Sequence, residues 1–210
     1  GKGNFAKFRQ FFSAFGIDVK LVADLDALFE GYQHLEGGEQ ANALRHEAIQ
    51  RIDARIVELG VAAEPSRRQI KDKVTSESWR DRYAAAKEAL RKAQQVGHVG
   101  EECIQQFDQL FTWENDIARV RVCREDEQSA QSLVPLLDDL RGNGICVLSA
   151  GAIEDYYPSG TPEVGPKPER ALAAARLVVD KGTAMALSRP LAAGRMPELV
   201  EMFERLFSDL

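Results

Sequence analysis

Two short segments carry acids at spacings that could do chemistry. The first is Val22-Ala23-Asp24-Leu25-Asp26. Val19, Leu21 and Val22 make the run Ile17–Asp24 a short β-rich core strand, with the two aspartates at its carboxyl end. Residues i and i+2 of an extended segment share a side, so the carboxylates of Asp24 and Asp26 converge. In open parallel sheets that is the end where ligands bind. Two uncompensated carboxylates repel, and a hard cation such as Mg²⁺ or Mn²⁺ relieves the repulsion. A plainer reading of the same residues also stands: one aspartate caps the following helix and the other faces water.

The second segment is Ser149-Ala150-Gly151-Ala152-Ile153-Glu154-Asp155-Tyr156-Tyr157-Pro158, just past another credible strand, Ile145–Leu148. If the two strands are sheet neighbours, Glu154 or Asp155 comes near Asp24 and Asp26. Taken alone, the segment is a helix start with acids in its first turn, where the helix dipole favours them. Lys181 follows an apolar helix and could point back toward the sheet to neutralise developing phosphate charge. Taken alone, the plainer reading makes it a helix C-terminal cation with Gly182 as the stop. Gly1-Lys2-Gly3-Asn4 lacks the GxxxxGK[ST] spacing, which excludes a phosphate loop.

The elements that must position these residues follow from periodicity. Phe5, Phe8, Phe11, Phe12 and Phe15 predict an amphipathic helix stopped by Gly16, and a second helix spans roughly Ala27–His34. Helix, turn, buried strand and helix form the grammar of a parallel α/β sheet. From Glu39 to Leu140 that grammar gives way to helical stripes: Leu44 to Leu59, broken at Gly60, then Ser66–Gln95, Glu101–Val122 and Leu133–Leu140. The strand grammar returns at Ile145–Leu148. A proline-rich loop, Pro158–Pro168, leads to an alanine-rich helix, Glu169–Val179, and Pro197 introduces a last helix, Glu198–Leu210. The expected organisation is an α/β domain in two parts, 1–35 and 144–210, interrupted by an all-helical insertion over 36–143.

Composition narrows the class. The 210 residues are 44% apolar and 29% charged, which excludes a disordered chain and a small disulfide scaffold. The longest near-apolar run, Ala171–Val179, contains Arg176, so no segment is expected to span a membrane. Cys103, Cys123 and Cys146 form no CxxC pair, which argues against a zinc ribbon and for a reducing, cytoplasmic compartment. Gly1 in place of methionine, with no leader after it, makes the chain read as the interior of a larger protein. The net charge of −6 opposes general nucleic-acid adhesion. Yet Ser66–Gln95 holds nine Lys/Arg against four Asp/Glu, a local +5 that leaves −11 elsewhere. Arg67, Arg68, Lys71, Lys73, Arg80 and Arg82, beside Trp79 and Tyr83, are candidates for tracking a phosphate backbone. The simpler alternative is a solvated helix face.

Taken in order, Gly-Lys-Gly-Asn-Phe, Val22–Leu28 and Leu148–Pro158 resemble the Toprim nuclease domain of OLD-family (overcoming lysogenisation defect) endonucleases, over roughly 1–35 and 145–210. The resemblance implies a Toprim-like parallel-sheet domain with a helical insertion, and a metal-dependent endonuclease that hydrolyses DNA with two Mg²⁺ or Mn²⁺ ions. Asp24 and Asp26 match the family's Asp-x-Asp, and Glu154 matches its Gly-x-x-Glu acid. Lys181 is assigned as the downstream lysine by its distance after Glu154. The family's first-strand glutamate has no counterpart here, and Ala152 stands where many relatives carry aspartate. Relatives also have an upstream ATPase domain, through which ATP would act, and are often dimers, so that domain and a second copy join DNA as expected partners. Two other readings stay open: a haloacid-dehalogenase-type phosphatase with Asp24 as nucleophile and Asp26 as acid, and a non-catalytic helical module for interaction or dimerisation.

Overall fold

The computed structural model describes residues 4–65, 67–111, 113 and 115–207. The Gly1-Lys2-Gly3 start, Ser66 and the end of the expected last helix, residues 208–210, lie outside the described residues. The chain divides into two compact units, Gly1–Val61 with Arg119–Leu210, and Ala62–Ala118.

In the first unit, helix α1 (Phe5–Ser13) precedes strand β1 (Leu21–Ala23), two 3-10 turns (Leu25–Leu28 and Tyr32–His34) and helix α2 (Gly38–Leu59). Gly60 caps α2 at φ 64, a left-handed conformation that glycine adopts without strain. The second unit holds α3 (Arg67–Thr75), α4 (Glu77–Val96) and α5 (Glu101–Phe111). The expected long helix of that region is broken at Ser76, whose backbone turns extended and starts α4. Helix α6 (Asp116–Glu125) runs from that unit back into the first, where α7 (Glu127–Gly142) and β2 (Ile145–Val147) follow. Another 3-10 turn (Ile153–Tyr156), then α8 (Lys167–Leu177), α9 (Lys181–Met185) and α10 (Glu198–Leu206) complete the first unit.

The strands pair in parallel, with Leu21 opposite Ile145 and Ala23 opposite Val147. Hydrogen bonds continue the ladder at both ends, from Leu21 N to Gly144 O (2.8 Å) and from Leu148 N to Ala23 O (2.9 Å). Leu133, Leu136, Leu137 and Leu140 of α7 recur at helical spacing and are buried with Ile52 and Ile56 of α2, Leu25, Leu28, Ile145 and Val147. Helix α7 packs on both α2 and β2, so the core sits between helices and a narrow ribbon of sheet.

The expected Toprim-like parallel-sheet α/β class is therefore corrected. The described residues are 66% helical and 4% strand, with a single two-stranded parallel sheet. The cause is periodicity. Outside the segments of β1 and β2, apolar residues recur every three or four positions and bury themselves between helices, leaving no further strand among the described residues to widen the sheet. The expected helix over Ala27–His34 is replaced by the two 3-10 turns, separated at Gly31 with φ 96. No helix among the described residues is long and apolar enough to cross a membrane. Cys103, Cys123 and Cys146 are free and buried, and burial pushes the Cys123 thiol up to about 12.

Candidate functional site: an acid cluster at the carboxyl end of the strand pair

Asp24 directly follows β1. Its backbone is extended (φ −71, ψ 157), and its side chain does not cap the 3-10 turn that begins at Leu25. The backbone N–H of Ile153, in the segment after β2, acts on the Asp24 carboxylate and favours its charged form. Asp26 lies inside the turn, where its carbonyl accepts from Phe29 N (3.1 Å) and Glu30 N (2.8 Å). Its nearness to Asp24 thus comes from a 3-10 turn rather than from strand alternation. Leu25 N donates to Gly151 O (2.9 Å), stitching the two post-strand segments together. Gly151 has φ 131, and a Cβ there would collide with the Asp155 carboxylate, so only glycine fits.

Of the residues singled out in the sequence, Asp26 and Glu154 both lie near enough for their charges to act on Asp24. Burial, and then the negative charges of Asp26 and Glu154, hold the Asp24 carboxyl above its ordinary value of 3.8. Glu154 carries an opposing influence: Lys167 Nζ lies 2.5 Å from its Oε1. That ammonium holds the Glu154 carboxyl below its ordinary 4.5, and Glu154 in turn raises Lys167. Lys167 also feels Asp24, so the cluster is three carboxylates and one ammonium. Asp155 faces another way. Its carboxylate accepts from Ala152 N (2.7 Å) and from Arg124 Nη2 (2.6 Å), which fixes the turn that presents Glu154.

Lys181 is not among the charges that act on Asp24 or Glu154. It opens the short helix α9, exposed, after Asp180, whose carboxylate accepts from Thr183 N (2.7 Å). The cation at the acids is Lys167, which the sequence reading missed. A weak signal for it exists: lysine in the first turn of a helix opposes the macrodipole, so Lys167 at the start of α8 gains from any acid that reaches it.

A buried network holds the loop that carries Glu154. Glu198, the first residue of α10, is 1% exposed. One carboxylate oxygen accepts from Arg141 Nη2 (2.5 Å) and Ser149 N (3.0 Å), and the other from Ser149 Oγ (2.6 Å) and Tyr156 OH (2.6 Å). Ala150 N donates to the same Tyr156 hydroxyl at 2.9 Å. Burial and the Glu198 charge push the Tyr156 phenol above its ordinary value, which keeps it a donor. In the sequence Glu198 looks like any acid at a helix start.

The six basic candidates all lie in the unit Ala62–Ala118. Arg67, Arg68, Lys71 and Lys73 are on α3, and Arg80 and Arg82 on α4. Arg68 pairs with Asp72 (3.5 Å), and the Lys73 ammonium sits 4.3 Å from the centre of the Trp113 ring. Burial and the nearby Arg82 charge lower Lys73. Trp79 and Tyr83 stack on α4 with ring centres 5.2 Å apart.

Among the described residues no three His, Cys, Asp or Glu side chains converge tightly enough to hold a metal ion as they stand. The donor set nevertheless suits a hard cation in type and charge, being all carboxylate, with Asp24 crowded by two like charges. Comparison with known protein families, curated proteins and solved structures finds no match to this chain, so the reading of the site rests on its own residues.

Proposed function

We propose that the cluster of Asp24, Asp26, Glu154 and Lys167 is the centre of a divalent-cation-dependent endonuclease that hydrolyses DNA phosphodiester bonds. The observation that carries this reading is the meeting of Asp24 and Glu154, 130 positions apart in the chain, at the same end of two paired parallel strands. Asp24, Asp26 and Glu154 would hold Mg²⁺ or Mn²⁺, as two ions once a further acid joins them. When bound, such ions make a water nucleophilic and withdraw charge from the phosphate. The chain's own residues do the rest. Asp24, crowded and partly desolvated, is a strong acceptor for a cation or a proton. Glu154 is aimed by its loop, and Lys167 supplies positive charge where a phosphate would approach. The basic helices α3 and α4 are the proposed DNA contact. The upstream ATPase domain and a second copy of the chain are the proposed protein partners, with the cytoplasm as the compartment. The OLD-family likeness of the motifs supports DNA as substrate.

Asp26→Ala in the full-length protein tests the reading, with plasmid nicking in Mn²⁺ as the assay. Loss of at least a hundredfold in rate is expected, since removing one carboxylate from a charge-stabilised centre costs that order. Nicking at the wild-type rate would remove Asp26 from the centre.

A further inference from the structure

We propose that the phenylalanines bared on α1 and α10 form a two-fold interface between copies of this chain, with α1 of one copy lying on α10 of the other. This gives the proposed second copy a surface of its own and does not draw on the cation centre, so either can fail without the other.

Helix α1 buries none of its nine residues. Asn4 gives its start no side-chain cap, its first turn holds no acid and its last turn no base. A helix that short is marginal in water unless its apolar face is packed. That face is Phe8, Phe11, Phe12 and, just past the last turn, Phe15, a ridge at steps of three and four with 37% to 68% of each residue exposed. The Phe11 ring touches both Phe12 and Phe15, with centres 5.2 Å apart in each pair. Helix α10 repeats the pattern. Leu199 and Met202 join the core with Cys146, Leu148 and Tyr156, while Phe203 and Phe207 stack on the outside, each more than half exposed. Both helices are tied to the turn before β2. Arg9 of α1 donates to Asn143 O (3.0 Å), and Lys20, whose neighbour Leu21 donates to Gly144 O, itself donates to Arg205 O (3.1 Å) at the end of α10.

Area and charge name the occupant. Six phenylalanines about half exposed bare roughly 600 Å². That is as large a patch as a monomer ordinarily leaves uncovered, and most of the ~800 Å² that each partner gives to a standard interface. Helix α1 carries Lys7 and Arg9 and no acid, whereas α10 carries three glutamates and one arginine. Arg205 is held by Glu201 at 3.2 Å, and Glu204, next to Phe203, is the exposed acid of α10. A cationic apolar helix and an acidic apolar helix on one chain complement each other across a two-fold axis, with Lys7 meeting Glu204 twice.

Sedimentation equilibrium of the chain, taken up to about 100 µM, tests this. Wild type should be a dimer there. Phe11→Gln with Phe203→Gln changes only surface positions, so far-ultraviolet circular dichroism should hold while dimerisation weakens at least about tenfold. Lys7→Glu should weaken it about fivefold, and Lys7→Glu with Glu204→Lys should restore it. A dimer that ignores the phenylalanine changes, or that the exchanged charges do not restore, would overturn the interface. Growth beyond a dimer would overturn the two-fold arrangement, because only an open head-to-tail contact propagates. A monomeric wild type would overturn the second copy as occupant, and co-sedimentation of that monomer with anionic phospholipid vesicles would give the face to a membrane surface instead.

Discussion

Asp24 carries the electrostatic cost of the site. Burial, Asp26 and Glu154 all hold its carboxyl above the ordinary 3.8. An acid whose folded pKa exceeds its unfolded one binds more protons when folded, so stability falls as pH rises through that interval. Asp24→Asn removes the effect. Urea unfolding at neutral pH should show the variant more stable than wild type, with the two curves converging toward about pH 3. A less stable variant at neutral pH would mean that Asp24 is a net stabilising residue. The acids were legible in the sequence because strand ends and turn glycines are local signals. Lys167 was not assigned, because nothing local says which distant acid a lysine will meet. Glu198 was hidden for a different reason: an acid after Pro197 satisfies the helix dipole whether it is buried or exposed, and burial is decided by Arg141, Ser149 and Tyr156 from elsewhere in the chain.

At the scale of elements, Asp126 is the hinge between helices α6 and α7. Its carboxylate caps α7, accepting from Ser129 N (3.0 Å) and Oγ (2.8 Å), and pairs with Arg55 of α2 at 3.0 Å. Those partners, Arg55 first, hold the Asp126 carboxyl down to about 2. Its folded pKa lies below the unfolded 3.8, so the stability it contributes is present above that value and lost as pH falls toward 2. Asp126→Ala should lower the melting temperature by roughly 3 °C at pH 7 and by progressively less below pH 4. A pH-independent difference would assign the effect to packing instead. Helix ends marked by Gly16, Gly60 and Pro197 were legible to within a few residues. The start of α7 was not: the leucine stripe begins at Leu133, whereas the helix begins six residues earlier, at Glu127, just after its Asp126 cap. The segment after Asp24 also misled. Its apolar residues suit a helix, but Leu25, Ala27 and Leu28 are all buried within four positions, a density that tight 3-10 turns supply and an amphipathic helix does not.

Across the whole molecule, the largest fully buried side chains, among them Leu25, Ile52, Leu137, Leu140 and Ile145, all belong to the unit formed by Gly1–Val61 and Arg119–Leu210. The buried apolar residues of Ala62–Ala118 are mainly small, with Ala86, Ala89, Cys103 and Leu110 prominent. Less buried apolar area stabilises the second unit less against local opening. Native-state amide exchange should therefore protect α7 and the β1–β2 pair most, with α3, α4 and α5 opening at lower free energy. Equal protection in the two units would contradict that ranking. The sheet class was misjudged at this scale too. Two strands with helices between them satisfy the local grammar of a parallel sheet, and among the described residues no third strand widens the pair. The meeting of acids does not need a wide sheet, because one parallel pair already places two post-strand loops side by side. Those loops are proposed to build a divalent-cation site, and the decisive measurement is a Mn²⁺-soaked crystal recorded at a wavelength where manganese scatters anomalously. An anomalous peak bridging the carboxylates of Asp24 and Asp26, with Glu154 drawn from Lys167 toward it, is the predicted result. Manganese bound only elsewhere, with the Glu154–Lys167 pair intact, would contradict it.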